Sequence, residues 1–217
     1  MTVRLAVFDC DGTLVDGQAA VCEAMEAAFA FAQLPGPPRT HIRRIVGLSL
    51  PQAVRHLAPD VPEDLQRMVV EAYKDSFRSA RTGGTLEEPL FEGIAELVDR
   101  LARSGWALGV ATGKSDRGLT ACLAGHGLLD RFVTLQTADR HPSKPHPAML
   151  EAALHEAGAL PGAAVMIGDT SFDMDMARAA GVRAIGVDWG YHPADELAAA
   201  GAEVVVSSAA QLGDYLS

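Results

Sequence analysis

The chain has 217 residues, of which 48% are hydrophobic and 21% charged, and a formal net charge of −10. This is the composition of a globular protein long enough for a substantial core, and its acidity argues against a nucleic-acid or membrane-surface binder, which would carry a basic face. Three scattered cysteines, Cys10, Cys22 and Cys122, form no C-x-x-C pair, which disfavours a disulfide framework or a zinc knuckle and fits reduced thiols in the cytoplasm.

The apolar run Leu5–Phe8 ends at an acidic, glycine-containing turn, as a buried strand opening onto a loop would. It is too short to be a signal peptide, and no later stretch reaches the roughly 20 apolar residues of a membrane span. From 18 to 80 there is little strand signal. Residues 18–33 are helical in character and stop before Pro35-Gly36-Pro37-Pro38. Within 62–80, Leu65, Met68, Val69, Ala72, Tyr73, Ser76 and Phe77 recur at helical spacing, with Asp60 and Glu63 placed for a capping box. Thr82-Gly83-Gly84-Thr85 and Glu87-Glu88-Pro89 read as a linker.

Beyond the linker, helical and strand-like segments alternate. Helices are expected over 91–103, 115–124, 147–157 and 172–180. Strands are expected over 106–111, 132–135, 164–167, 184–187 and 203–206. Short segments in this alternation predict an α/β fold, a Rossmann-like parallel sheet with helices on both faces. The all-helical segment 17–82 is inserted between 1–16 and 83–217.

Ligands of such sheets lie beyond the carboxyl ends of the strands, and the unusual polar residues fall there. Asp9 and Asp11 follow the first strand. Two residues apart in extended chain, they are expected to face one site, and two carboxylates at the end of a buried strand need a cation or a shared proton. Thr112, Gly113 and Lys114 follow the next strand, where Thr112 and the Gly113 backbone offer donors and Lys114 reads as solvated. Lys144 lies in a later loop, placed to neutralise a carboxylate and a bound anion. Asp169 and Asp173, four apart at a helix start, share a face. Asp9, Asp11 and Asp169 together suit a hard cation such as magnesium. Cys10 alternates away from the two aspartates and reads as core. His141 and His146 read as loop and helix-entry residues, and Trp189-Gly190-Tyr191 as packing at the border of the cleft.

Asp9–Asp16, Ala111–Lys114, Lys144-Pro145 and Gly168–Asp173 match, in order and spacing, the four motifs of the haloacid dehalogenase superfamily, and the whole chain resembles its phosphatases with a small helical cap inserted after the first motif. Phosphoglycolate phosphatases and β-phosphoglucomutases are the near relatives. The resemblance implies a phosphoric monoester hydrolase acting on a small phosphorylated metabolite. Asp9 would be the nucleophile of an aspartyl-phosphate mechanism and Asp11 the proton donor and later the base. Thr112, Gly113 and Lys144 would hold the phosphoryl oxygens. Mg²⁺ would sit on Asp9, the main-chain carbonyl of Asp11, and Asp169, with Asp173 in support. Of the cap arginines near Gly47–Leu50, Arg43 is the expected substrate contact. A sugar-phosphate mutase shares every one of these motifs and is the principal alternative, and a phospho-receiver protein is a more distant one. A dehalogenase is disfavoured by Asp11 and Asp169.

Overall fold

The computed structural model describes residues 2–217. Six strands form one parallel sheet: β1 (Val3–Phe8), β2 (Trp106–Thr112), β3 (Thr134–Thr137), β4 (Ala159–Gly168), β5 (Arg183–Val187) and β6 (Val204–Val206), in the order β3-β2-β1-β4-β5-β6. The inner strands are apolar on both faces because both are covered. Ala6 and Phe8 point into one core with Ile94, Leu97, Val98 and Leu101 of α5 (Ile94–Arg103). That core also takes in α6 (Asp116–Gly125) and α10 (Ala209–Tyr215). Leu5 and Val7 point the other way, onto α7 (Ala148–Ala157), α8 (Ser171–Ala179) and α9 (Ala194–Ala200). Each successive side chain of a strand thus serves a different helical layer.

Between β1 and α5 the chain makes four helices and no strand: α1 (Gln18–Phe31), α2 (Arg39–Arg44), α3 (Leu50–Leu57) and α4 (Glu63–Thr82). They enclose an apolar cluster of their own, which includes Val21, Met25, Phe29, Ile42, Val54 and Val69. The expected capping box at Asp60 and Glu63 does not form. Pro62 takes the cap position with no side-chain hydrogen bond, so the helix begins at Glu63, and Glu63 and Asp64 in its first turn act on the helix dipole instead. The insert is seated on the sheet's carboxyl end. Ser49 N donates to Ser143 Oγ at 2.7 Å, His192 Nε2 to the Arg44 carbonyl at 3.2 Å, and Arg44 pairs with Glu196 at 2.7 Å.

The strand order has one reversal, between β1 and β4. From β1 the chain adds β2 and β3 on one side, then crosses over to add β4, β5 and β6 on the other. This is the crevice where a doubly wound sheet binds its ligand, and Asp9 and Asp169 end the two strands that flank it.

The outer edge is held by a polar clasp. Arg183 of β5 donates to both oxygens of Glu203, at 2.7 and 3.0 Å, and Tyr215 Oη of α10 donates to Glu203 at 2.5 Å. These donors pull the Glu203 carboxyl down to about 2. A folded value below the unfolded one, about 4.3, means the clasp stabilises the fold above that pH and loses its effect as pH falls towards 2. Glu203→Gln is therefore expected to cost up to about 1 kcal/mol at pH 7, as a half-exposed pair should. The difference from wild type should vanish near pH 2. Urea titrations of both proteins across that range are the check.

Candidate active site

Asp9 leaves β1 with its N–H still donating to the Ile167 carbonyl of β4, at 2.9 Å. The chain then turns tightly: Leu14 N and Val15 N both donate to the Cys10 carbonyl, at 2.9 and 3.0 Å. At the turn, Gly12 has φ +88°, and a Cβ there would stand 2.2 Å from Asp169 Oδ2 and 2.5 Å from the Tyr191 ring. Only glycine fits both the angle and the space.

Strand alternation therefore stops at Phe8, and the carboxylates of Asp9 and Asp11 part company instead of facing one site as the sequence implied. Asp9 goes to Lys144 and Asp11 to Lys114. Lys144 is fully buried, with Nζ 2.9 Å from Asp9 Oδ1 and 2.6 Å from Asp173 Oδ1. Asp173 Oδ2 accepts from Thr170 N at 3.1 Å and Thr170 Oγ1 at 2.7 Å, so both its oxygens are committed. Asp169 accepts from Thr13 Oγ1 at 2.7 Å and Tyr191 N at 3.0 Å. Asp9 differs. Its contact with Lys144 is a charge contact off hydrogen-bonding geometry, and neither of its buried oxygens has a directed hydrogen bond.

Burial is the main force on these groups. It raises Asp9 to about 7, against the pull of Lys144 and with the push of Asp173. It raises Asp169 well above the usual carboxylate range, helped by Asp9 and Asp173. Burial alone would lower Lys144, but Asp173 and Asp9 outweigh it and hold the ammonium above its ordinary value. Oxygens of Asp9, Asp169 and Asp173 lie within 4.8 Å of one another. Three buried carboxylates on one ammonium leave an excess of negative charge and an orphaned Asp9, the deficit a hard divalent cation would fill. The carboxylate of Asp173, expected behind the metal, belongs to this group. That of Asp11 does not, which leaves its main-chain carbonyl for the part the resemblance gave it.

Asp11 Oδ1 accepts from Lys114 Nζ at 2.6 Å, and the same ammonium donates to Glu88 Oε1 at 2.7 Å. Glu88 also takes Arg81 at 3.2 Å, and its carbonyl accepts from His126 Nε2 at 2.8 Å. Lys114 is thus not the solvated residue the sequence suggested; its side chain is only 10% exposed. The linker glutamate was overlooked because an acidic residue in a Gly- and Pro-rich stretch reads as solvated, and its partner lies far along the chain.

Thr112 is buried at the end of β2, and its Oγ1 accepts from Lys114 N at 3.2 Å. Gly113 abuts the insert: a Cβ there would be 2.4 Å from the Leu48 carbonyl oxygen. Both line a cavity of about 290 Å³ between insert and sheet, with Asp11 and Lys114. Arg43 does not line it; it is exposed, on the far side of α2 near Cys22. The arginines on the cavity wall are Arg78, Arg81 and Arg117. Helical spacing named the apolar face of α4 but not the direction of its flank. Cys10 is buried beside Cys122. His141 donates to or accepts from Gln136 Oε1 at 2.8 Å, and His146 Nδ1 accepts from Ala148 N at 3.2 Å. Tyr191 does border the crevice, with a buried hydroxyl that has no partner.

The family profile described as haloacid dehalogenase-like hydrolase matches residues 6–187. The chain belongs to this family. The protein named "Probable phosphatase IndB" from Dickeya dadantii is 36% identical over 94% of this chain and 89% of its own length. A phosphoglycolate phosphatase from Vibrio vulnificus is 28% identical over 99% and 96%. A haloacid dehalogenase-like family protein from Streptococcus pneumoniae superposes with a TM-score of 0.86 at 24% identity, over 99% of both chains, and so shares the fold. Like these relatives, the chain is a hydrolase of the haloacid dehalogenase family, and among its described residues no helix is long and apolar enough to cross a membrane.

Removing the Lys114 ammonium would strand Asp11 and Glu88 in a largely water-excluded place. Lys114→Met is expected to lower stability by about 3 kcal/mol, the scale of a broken buried pair. Lys74→Met, which severs an exposed pair with Glu71, should change stability by less than about 1 kcal/mol. Denaturant titrations of the two variants give the comparison.

Proposed function

We propose that this hydrolase is a magnesium-dependent phosphatase of a small phosphorylated metabolite, phosphoglycolate-like or a sugar phosphate, with Asp9 as nucleophile. The observation that carries the reading is Asp9 itself: a buried carboxylate at the crevice, aligned by Lys144, with both oxygens free of directed hydrogen bonds. A carboxylate held only for structure would have its oxygens committed, as those of Asp173 are.

In the first step an Asp9 oxygen bonds to phosphorus while the ester P–O bond breaks, and Asp11 gives its proton to the departing alkoxide. In the second, the Asp11 carboxylate takes a proton from water. The hydroxide oxygen then bonds to phosphorus, and the P–O bond to Asp9 breaks. Covalent catalysis splits one hard hydrolysis into two steps. Phosphoryl transfer is mainly positioning and charge stabilisation. Thr112 Oγ1 and Gly113 N are donors for the phosphoryl oxygens. An ammonium has three donors; Lys144 spends its charge on Asp9 and Asp173 and keeps capacity for a phosphoryl oxygen. A magnesium ion on Asp9, Asp169 and the Asp11 carbonyl, with Asp173 beside it, would neutralise charge where one anion meets another. The acid role requires the Asp11 carboxyl to turn from Lys114 towards Asp9.

The mutase alternative needs a second phosphate site in the insert. Lys74, Arg78 and Arg81 on the cavity wall already pair with Glu71, Asp75 and Glu88, which favours hydrolysis. A cytoplasmic location fits the unpaired cysteines.

Asp9→Asn is expected to reduce turnover of p-nitrophenyl phosphate to background without unfolding the protein. Chelation should abolish wild-type activity and magnesium restore it. Full activity in chelator, with metal absence confirmed, would overturn the reading. Asp11→Ala should slow phosphate release by roughly 10²–10⁴-fold, the contribution of a positioned acid–base group. Following free phosphate and isomerised product together separates the two readings: rapid isomerisation of a hexose phosphate with little phosphate released would establish the mutase.

A further inference from the structure

On the phosphatase reading, the leaving oxygen must come within reach of Asp11, so the alcohol part of the substrate lies on Asp11's side of the crevice. The cavity whose floor holds Asp11, Thr112, Gly113 and Lys114 is that place. Its walls are largely apolar. Tyr73 and Phe77, one turn apart on α4, set their rings 5.0 Å apart at 33°, and Lys114 Nζ lies 5.8 Å from the centre of the Phe77 ring. Val21 and Met25 of α1, Leu48, and Leu50 at the start of α3 also line the cavity. At about 290 Å³ the cavity has room for roughly ten waters, and a two-carbon acid fills only part of it.

Apart from Arg117, the positive charge lining the cavity is already matched. Lys114 is shared by Asp11 and Glu88, Arg81 goes to Glu88, and Lys74 and Arg78 go to Glu71 and Asp75. Arg117 stands at the exposed rim. A second anionic group entering the floor would meet Asp11 and find Lys114, Arg81, Lys74 and Arg78 already paired. Ligand pockets of this kind select by apolar contact with a few placed polar groups.

We infer that the preferred substrate is a phosphomonoester whose alcohol carries an apolar, ring-sized body lying against Tyr73 and Phe77, rather than a phosphorylated small acid. Phe77 is then a specificity-determining residue, since its ring lines the cavity and lies 5.8 Å from the Lys114 ammonium that holds Asp11.

The test uses the whole protein with magnesium and three alkyl phosphates, so that the bond broken is comparable throughout: benzyl phosphate, glycerol 1-phosphate and 2-phosphoglycolate. Benzyl phosphate is expected to show a kcat/KM at least about tenfold above the other two, the discrimination an apolar pocket can supply. Phe77→Ser should collapse the benzyl-to-glycerol ratio by about fivefold or more, mainly through KM. Phe77→Leu, apolar and helix-compatible, should fall between the two; it serves if Phe77→Ser does not melt like wild type. Preference for 2-phosphoglycolate or glycerol 1-phosphate, or an unchanged ratio in both variants, overturns the inference while leaving the phosphatase intact. Failure of wild type to release phosphate from any of the three and from p-nitrophenyl phosphate overturns both.

Discussion

Everything at this site depends on one ammonium taken completely out of water. Lys144 has no exposed surface, and among the described residues its charge partners are Asp9 and Asp173. Desolvating such a charge costs several kcal/mol, recovered only through close partners whose remaining lone pairs are satisfied. Asp173 meets that condition through Thr170, whose N–H and hydroxyl fix its second oxygen. Asp9 does not. The pair is asymmetric: one carboxylate anchors the lysine, and the other is aligned by it with its lone pairs uncommitted.

The sheet makes this arrangement possible by bringing distant segments to one end. β1 delivers Asp9 and β4 delivers Asp169 to the crevice where strand order reverses, while the loop after β3 reaches over with Lys144. The same end receives the insert, which leaves after Asp16 and returns through the linker before α5. The Lys114 network straddles both crossings. Gly17 lies so close that a Cβ would stand 3.3 Å from Asp11 Oδ1, and Glu88 sits on the returning strand of chain. The insert and the loop after β1 are therefore joined by charge as well as by packing.

Much of this was legible in the sequence. The run Leu5–Phe8 marked the first strand and the alternation after residue 90 the other five, because buried parallel strands are written as short apolar runs. The four motif segments gave Asp9, Lys144 and Asp169, because polar residues directly after such runs stand at the sheet's carboxyl end. Other features needed the third dimension. α9 and α10 are seven residues each, too short for periodicity to declare. The fate of Lys114 rests on Glu88, 26 positions away, and nothing local distinguishes it from a solvated lysine. Arg43 failed for a related reason: proximity in sequence to the Gly47–Leu50 loop says nothing of which side of α2 meets the cavity.

On the phosphatase reading, the two lysines explain how aspartates two residues apart on one loop could take different tasks. Identical carboxylates two residues apart would compete for the same charge and geometry, and function requires their environments to diverge. Here the turn after Phe8, fixed by the Cys10 carbonyl and by glycine at position 12, rotates them to opposite partners. Asp9 is enclosed with Lys144 and two further carboxylates in a dry crevice. Asp11 is held at the cavity floor by a lysine shared with the linker, on the side from which an alcohol would leave. A nucleophile needs fixed alignment with phosphorus, whereas a proton carrier must serve first the leaving group and then water. A fully buried clamp suits the former, and an ion pair at the boundary between insert and sheet suits the latter.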